Sequence, residues 1–213
     1  HGLNINKNSR ILDVGCGNGQ GFLYPLAEAG FKNILGCDPY LESEIAYPNG
    51  LRIEKTRIDE VAETWDLITY HHAFEHVPDP IENLKCVHDL LDENGVCVIR
   101  IPTVSSYAWK HYGVNWVQLD APRHFFVHSI ESMKELAKIT NLELFKVVYD
   151  SNDLQFRGSE RYVDDVSLFA PQPKGFIQSL QRKIKKRGYK KAAKNLNKNN
   201  QGDQAAFFLR QKG

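Results

Sequence analysis

Short apolar runs alternate with longer amphipathic stretches through the first two thirds of this 213-residue chain. The apolar runs at residues 11–14, 34–37, 51–54, 65–70, 96–101 and 143–149 have strand length and are largely punctuated by Gly, Asn, Asp or Pro. Apolar positions spaced by three and four predict helices over 20–29, 80–91 and 129–140. Ser129 can cap the last of these, with Glu131 and Ser132 following in its first turn. Asn94-Gly95 predicts the turn into the fifth strand. The apolar stretch within 203–210 predicts one final strand. Such alternation predicts an α/β fold: a mostly parallel sheet with helices on both faces.

Two segments break the rhythm. Residues 102–128 are rich in aromatics and histidine, and residues 151–202 separate the last two strands. A structureless loop of the second length is uncommon, so 151–202 is read as an insertion with helices of its own in a single domain spanning 1–213. Within it, 181–198 is strongly basic. That run reads first as a solvated helix and loop, and second as a contact for phosphate groups or an anionic membrane surface.

Composition narrows the field modestly. The net charge of +1 gives no reason to expect specific nucleic acid, and no apolar run approaches the ~20 residues that span a bilayer. Cys16, Cys37, Cys86 and Cys97 lack C-x-x-C spacing and sit in or beside apolar runs. They read as buried thiols in a reducing compartment, which points to the cytoplasm, and not as a metal site.

The chemistry is concentrated in three stretches. The first is Ile11-Leu-Asp-Val-Gly-Cys-Gly-Asn-Gly19, an apolar strand running into Gly15, Gly17 and Gly19. Glycine permits positive φ and leaves no Cβ between backbone and ligand, so a strand, this turn and a helix start form a nucleotide-sized cradle. The spacing is G-x-G-x-G, whereas the dinucleotide fingerprint is G-x-G-x-x-G. Asp13 would repel a pyrophosphate and suits a cationic ligand. A second strand ends at Asp38-Pro39, where an acid is placed for ribose hydroxyls.

The second stretch is Trp65-Asp-Leu-Ile-Thr-Tyr-His-His-Ala-Phe-Glu-His-Val-Pro-Asp-Pro80. The third is Trp116-Val-Gln-Leu-Asp-Ala-Pro-Arg-His-Phe-Phe-Val-His-Ser129. Together with the glycine motif, they resemble the class I S-adenosylmethionine (SAM) methyltransferases, over about residues 9–150 and the last strand. The third stretch is similar to a subgroup common in bacterial sugar and polysaccharide biosynthesis.

The resemblance implies a Rossmann-like class I methyltransferase fold with a seven-strand sheet. It implies SAM as cofactor and S-adenosylhomocysteine as product. The cofactor would be held by Asp13, Gly15, Cys16, Gly17, Gly19, Asp38, Pro39, Ile58, Asp59, Tyr70 and His71, with Ile58 over the adenine and Asp59 at its amino group. It implies methyl transfer to a hydroxyl or amine of a small polar acceptor, a sugar or nucleotide-sugar being the favoured class. Members of this class usually carry a helix ahead of the glycine motif, and about ten residues precede it here.

His124 is the first candidate for general base and His72 the second, since imidazole titrates near neutrality. Asp120 would orient His124, and Arg123 would bind substrate. A structural Asp120–Arg123 ion pair is the competing reading. His72-Ala-Phe-Glu-His76 also fits the H-x-x-E-H zinc pattern, but it follows a buried strand directly and stops at Pro78, so no metal is expected. Two alternatives to methyl transfer stand: an NAD-dependent oxidoreductase, and a non-catalytic methyltransferase-like binding module.

Overall fold

The computed structural model describes residues 3–171 and 175–213. Among the described residues, eight strands form one sheet: β1 (Ile11–Val14), β2 (Ile34–Cys37), β3 (Ile45–Ala46), β4 (Arg52–Glu54), β5 (Trp65–His71), β6 (Leu91–Pro102), β7 (Leu142–Tyr149) and β8 (Gln204–Gln211). Their order is β3-β4-β2-β1-β5-β6-β8-β7. β1 pairs parallel with β2 and β5, β2 with β4, and β5 with β6, while β3 runs antiparallel to β4. The expected seven strands are therefore eight. The addition is β3, whose two residues are too few to carry a period; a turn holds it, with Tyr47 N donating to Leu51 O and Gly50 N to Tyr47 O.

The α-helices among the described residues are α1 (Leu23–Glu28), α2 (Pro80–Leu90), α3 (Tyr107–Tyr112), α4 (Ile130–Ile139), α5 (Leu154–Val163) and α6 (Phe176–Lys198). α1 starts later than the apolar spacing predicts, because the glycine turn continues through Phe22, whose backbone is not yet helical. β6 starts earlier. Leu91 already pairs with Trp65, then residues 92–95 bulge out before Val96 pairs with Leu67. Asn94-Gly95 thus interrupts a strand and does not precede one. A Cβ on Gly95 would lie 2.7 Å from the Trp65 carbonyl, so the bulge is built on glycine.

Contact density divides the chain into two units. The first holds the described residues up to Ile101, with Glu131–Val147 and Phe207–Gly213. Its core gathers Ile11, Leu23, Leu51, Ile53 and Leu67. All four residues of β1 are buried, Asp13 included, as befits an inner parallel strand covered on both faces. α2 is well started: Pro80 opens it and the Asp79 carboxylate accepts from Glu82 N at 3.1 Å.

The second unit holds Pro102–Ile130 and the described part of Val148–Ala206. Here the aromatic segment that broke the rhythm becomes a core of Ala108, Trp116 and Val117, with Trp109, Tyr112 and Leu154 against it. Gly158 of α5 allows the approach, since a Cβ there would lie 2.5 Å from Val117 Cγ2. Asp203 ties the segment down: its Oδ2 accepts from Trp116 Nε1 at 3.0 Å and from Gln118 Nε2 at 2.8 Å. The insertion contains helices as expected, α5 and α6. Tyr189 of α6 stacks on Phe156 of α5, and Lys185 pairs with Glu160 at 2.5 Å. Among the described residues, no helix is long and apolar enough to cross a membrane, and all four cysteines are free.

Candidate functional site

The glycine turn leaves β1 with three left-handed residues at alternate positions: Gly15 (φ +67°), Gly17 (+56°) and Gly19 (+71°). The three glycines serve two purposes. A Cβ on Gly15 would meet Ala73 Cβ at 2.5 Å, and one on Gly19 would meet Ile53 Cδ1 at 2.6 Å, so both are needed for packing. A Cβ on Gly17 would meet no protein atom within 4 Å; it would project into open space. The loop is pinned from both sides. Gly15 N and Cys16 N donate to Cys37 O, Gly17 N donates to Asp38 Oδ2 at 2.9 Å, and Tyr47 Oη donates to Asn18 O at 2.8 Å.

Asp38 therefore does two things. One oxygen holds Gly17, and the other accepts from Tyr40 N at 2.9 Å, which turns the chain after β2 past the exposed Pro39. A carboxylate has about four acceptor positions, so lone pairs remain for a diol. Asp13 is 3% exposed, and its Oδ1 accepts from Thr69 Oγ1 at 2.7 Å. Burial raises its pKa from 3.8 to about 7, against the lowering effect of the Thr69 hydrogen bond. Thr69 Oγ1 also lies 3.3 Å from Leu12 O. Cys16 lines the loop with a thiol pushed above its ordinary value by burial and by the Asp13 charge.

The other cofactor candidates divide. His71 lies beside the loop's exit, its ring 4.5 Å from that of Phe22. Tyr70 is fully buried and its hydroxyl donates to Asn83 Oδ1 of α2 at 2.6 Å, so its side chain is committed to packing and only its backbone remains for a ligand. Ile58 is buried in the 3-10 turn Ile58–Glu60, and the exposed Asp59 accepts from Arg57 Nε at 2.9 Å.

His72 follows β5 directly, in the left-handed region (φ +55°), a strained state for a residue with a Cβ. Its Nε2 faces the Arg100 guanidinium at 3.0 Å, and its Nδ1 lies 3.4 Å from Oε1 of the buried Glu75. Since arginine only donates, this geometry assigns the proton to Nδ1 and the lone pair to Nε2. The zinc helix is not formed here: only Phe74–His76 is helical, as a single 3-10 turn, so His72 and His76 share no α-helical face.

In the second unit, Asp120, Arg123 and His124 occupy one tight turn, with Arg123 N and His124 N both directed to Asp120 O. Asp120 is itself left-handed (φ +43°). Its Oδ2 accepts from Arg123, the ion pair of the competing reading. The His124 ring nitrogen lies 3.7 Å from the same oxygen, longer than a hydrogen bond. The Arg123 side chain is largely exposed.

Several supporting residues are not among those the sequence singles out. Thr69 sits on Asp13, Tyr47 on the loop tip, and Arg100 on His72. Gly36 admits the loop onto β2, since a Cβ there would meet Cys16 Sγ at 2.5 Å. Of these, only Gly36 left a signal, a glycine inside a strand pattern.

A family model described as a methyltransferase domain matches residues 2–147. The chain is 31% identical over 127 residues to a ubiquinone biosynthesis O-methyltransferase of Ruegeria pomeroyi, covering 54% of this chain and 50% of that protein. It is 24% identical over 169 residues to a tRNA U34 carboxymethyltransferase of Campylobacter jejuni, covering 74% and 58%. The chain thus spans only about half to three fifths of these relatives. Among solved structures, a SAM-dependent methyltransferase of Thermotoga maritima, described as a possible histamine N-methyltransferase, superposes with a TM-score of 0.59. It is 18% identical, over 96% of this chain and 83% of that one, a likeness of fold.

Proposed function

Because the chain belongs to the methyltransferase-domain family, we propose that it moves a methyl group from SAM to a hydroxyl or amine of a small polar acceptor. The observation that carries this reading is the Gly15–Gly19 turn, with Gly17 open to a ligand and its N–H held by the acid that ends β2. The residues fit the cofactor. The Gly17 face lets backbone approach it closely, Asp38 keeps acceptors for the ribose, and Asp13 gives the region a carboxyl group that a nearby cation would ionise. Backbone at His71, the Ile58 side chain and Asp59 complete the proposed cofactor set.

When bound, SAM supplies an electrophilic methyl on a sulfonium. The chain's part is then to hold the acceptor in line with that methyl and to exclude water, an ordering that can contribute roughly 7–11 kcal/mol of barrier lowering. A hydroxyl acceptor must also lose a proton, where a positioned base adds ~10²- to 10⁴-fold. His124 is the proposed base and Arg123 the proposed acceptor contact. His72 is second, because its Nε2 lone pair must leave Arg100 before it can accept a proton.

A sugar or nucleotide-sugar is the acceptor favoured by the 119–124 sequence. The relatives' names bring two others, an oxygen in ubiquinone biosynthesis and tRNA. The free cysteines support a reducing compartment, the cytoplasm. The test is a thermal shift with SAM, S-adenosylhomocysteine and NAD, followed by radiolabelled methyl transfer to panels of nucleotide-sugars, phenols and tRNA. A ligand bound only by the native state raises Tm. Stabilisation by NAD and not by SAM would overturn the reading.

A further inference from the structure

α6 carries nine lysines and arginines and no acid in its 23 residues. Elsewhere the chain has 18 Lys and Arg against 26 Asp and Glu, so a net charge of +1 conceals a helix of +9 on a body of −8. The helix also exposes large apolar side chains: Phe176 (85%), Ile177 (67%), Leu180 (50%) and Ile184 (61%). At 3.6 residues per turn, Ile177, Leu180 and Ile184 form one stripe, and Lys183, Arg187, Lys191 and Lys194 run along its flank. The packed side is different: Lys185, Tyr189 and Ala193 face α5 or are buried. Phe169, 92% exposed, adds a further apolar group in the segment after α5.

We propose that the exposed face of α6 docks on an anionic lipid bilayer, with its apolar stripe in the headgroup boundary and its cations on acidic headgroups. A solvated helix has no use for four large apolar side chains in water. A second copy of this chain is disfavoured, since pairing the stripes would bring two helices of +9 together. Single-stranded nucleic acid would answer the charge but leave the aliphatic stripe wet. An interfacial helix uses both its apolar stripe and its cations.

Co-sedimentation of the full chain with vesicles tests this. Binding is expected to phosphatidylcholine vesicles containing roughly a third phosphatidylglycerol, and not to phosphatidylcholine alone. It should be lost at about 0.5 M salt, where screening shortens to a few ångströms. Leu180→Ser with Ile184→Ser should lower partitioning at least tenfold at low salt, as should Lys183→Glu with Arg187→Glu, each with an unchanged melting curve and unchanged S-adenosylhomocysteine binding. Failure of the wild type to bind anionic vesicles overturns the proposal. So does full retention by the Leu180/Ile184 variant, or displacement of vesicles by single-stranded RNA that binds wild type and that variant equally.

Discussion

The carboxylate of Asp38 holds the backbone N–H of Gly17 at 2.9 Å, which couples the end of β2 to the middle of the glycine turn. Asp38→Ala is expected to weaken S-adenosylhomocysteine about ten- to a hundredfold, the ~1.5–3 kcal/mol of charge-assisted hydrogen bonding. Calorimetric titration measures it. An unchanged Kd would make Asp38 a turn residue only.

Substitution at the unobstructed glycine separates binding from packing. Gly17→Val should abolish binding while costing only ~1–2 kcal/mol of backbone strain, because no protein atom obstructs its Cβ. Gly15→Val should lower Tm further, since its Cβ meets Ala73. Normal S-adenosylhomocysteine affinity in Gly17→Val would remove the cradle from the argument.

Asp13 predicts a pH dependence with an uncommon sign. Its folded pKa of about 7 exceeds the unfolded 3.8, so between these values the native state binds more protons than the unfolded chain. Stability from this group is therefore highest below the unfolded pKa. It falls by at most ~1.4 kcal/mol per pH unit up to about pH 7, and is flat beyond. Denaturant melts of wild type minus Asp13→Asn isolate the slope. Thr69→Val should carry it to higher pH, because the hydroxyl that favours the ionised form is gone. A flat difference between wild type and Asp13→Asn would refute the assignment.

If His124 is the base, His124→Ala should cut turnover at least about tenfold with cofactor affinity nearly constant, and the acid limb of the rate profile should vanish. Retained turnover with weakened acceptor KM would make it a binding residue and move attention to His72. Earlier melting with normal kinetics would make the Asp120–Arg123–His124 turn structural.

Asp203 gives a stability prediction for the second unit. Asp203→Ala leaves the Trp116 and Gln118 donors without their acceptor, at an expected cost of roughly 2–4 kcal/mol. Asp203→Asn, which keeps one oxygen acceptor, should cost less, as read by Cm in urea. Equal Cm values for wild type and Asp203→Ala would show that water replaces the carboxylate without loss.

Most of the sheet was legible because an inner parallel strand is buried along its whole length and reads as a nearly unbroken apolar run, as Ile11–Val14 does but for Asp13. The glycine motif was legible because positive φ restricts residue choice. Lost to reading were features made by distant partners. Trp116 looks like one aromatic among many until Asp203 receives its N–H, and the Tyr70 hydroxyl looks available to a ligand until Asn83 takes it. α3 is too short for a period, and β3 shorter still.

β8 lies between β6 and β7, yet both neighbours are translated before it. Before it is made, β6 is an open edge of unpaired N–H and C=O groups and β7 has no strand to pair with, which leaves a vacant slot beside β6. The missing strand is buried from Gln204 to Leu209, so its late arrival supplies both hydrogen bonds and core. Until then, the same slot can accept the β8 of another nascent chain. Crowded expression should accordingly produce strand-exchanged assemblies, and slower elongation through residues 150–200 would lengthen that exposure.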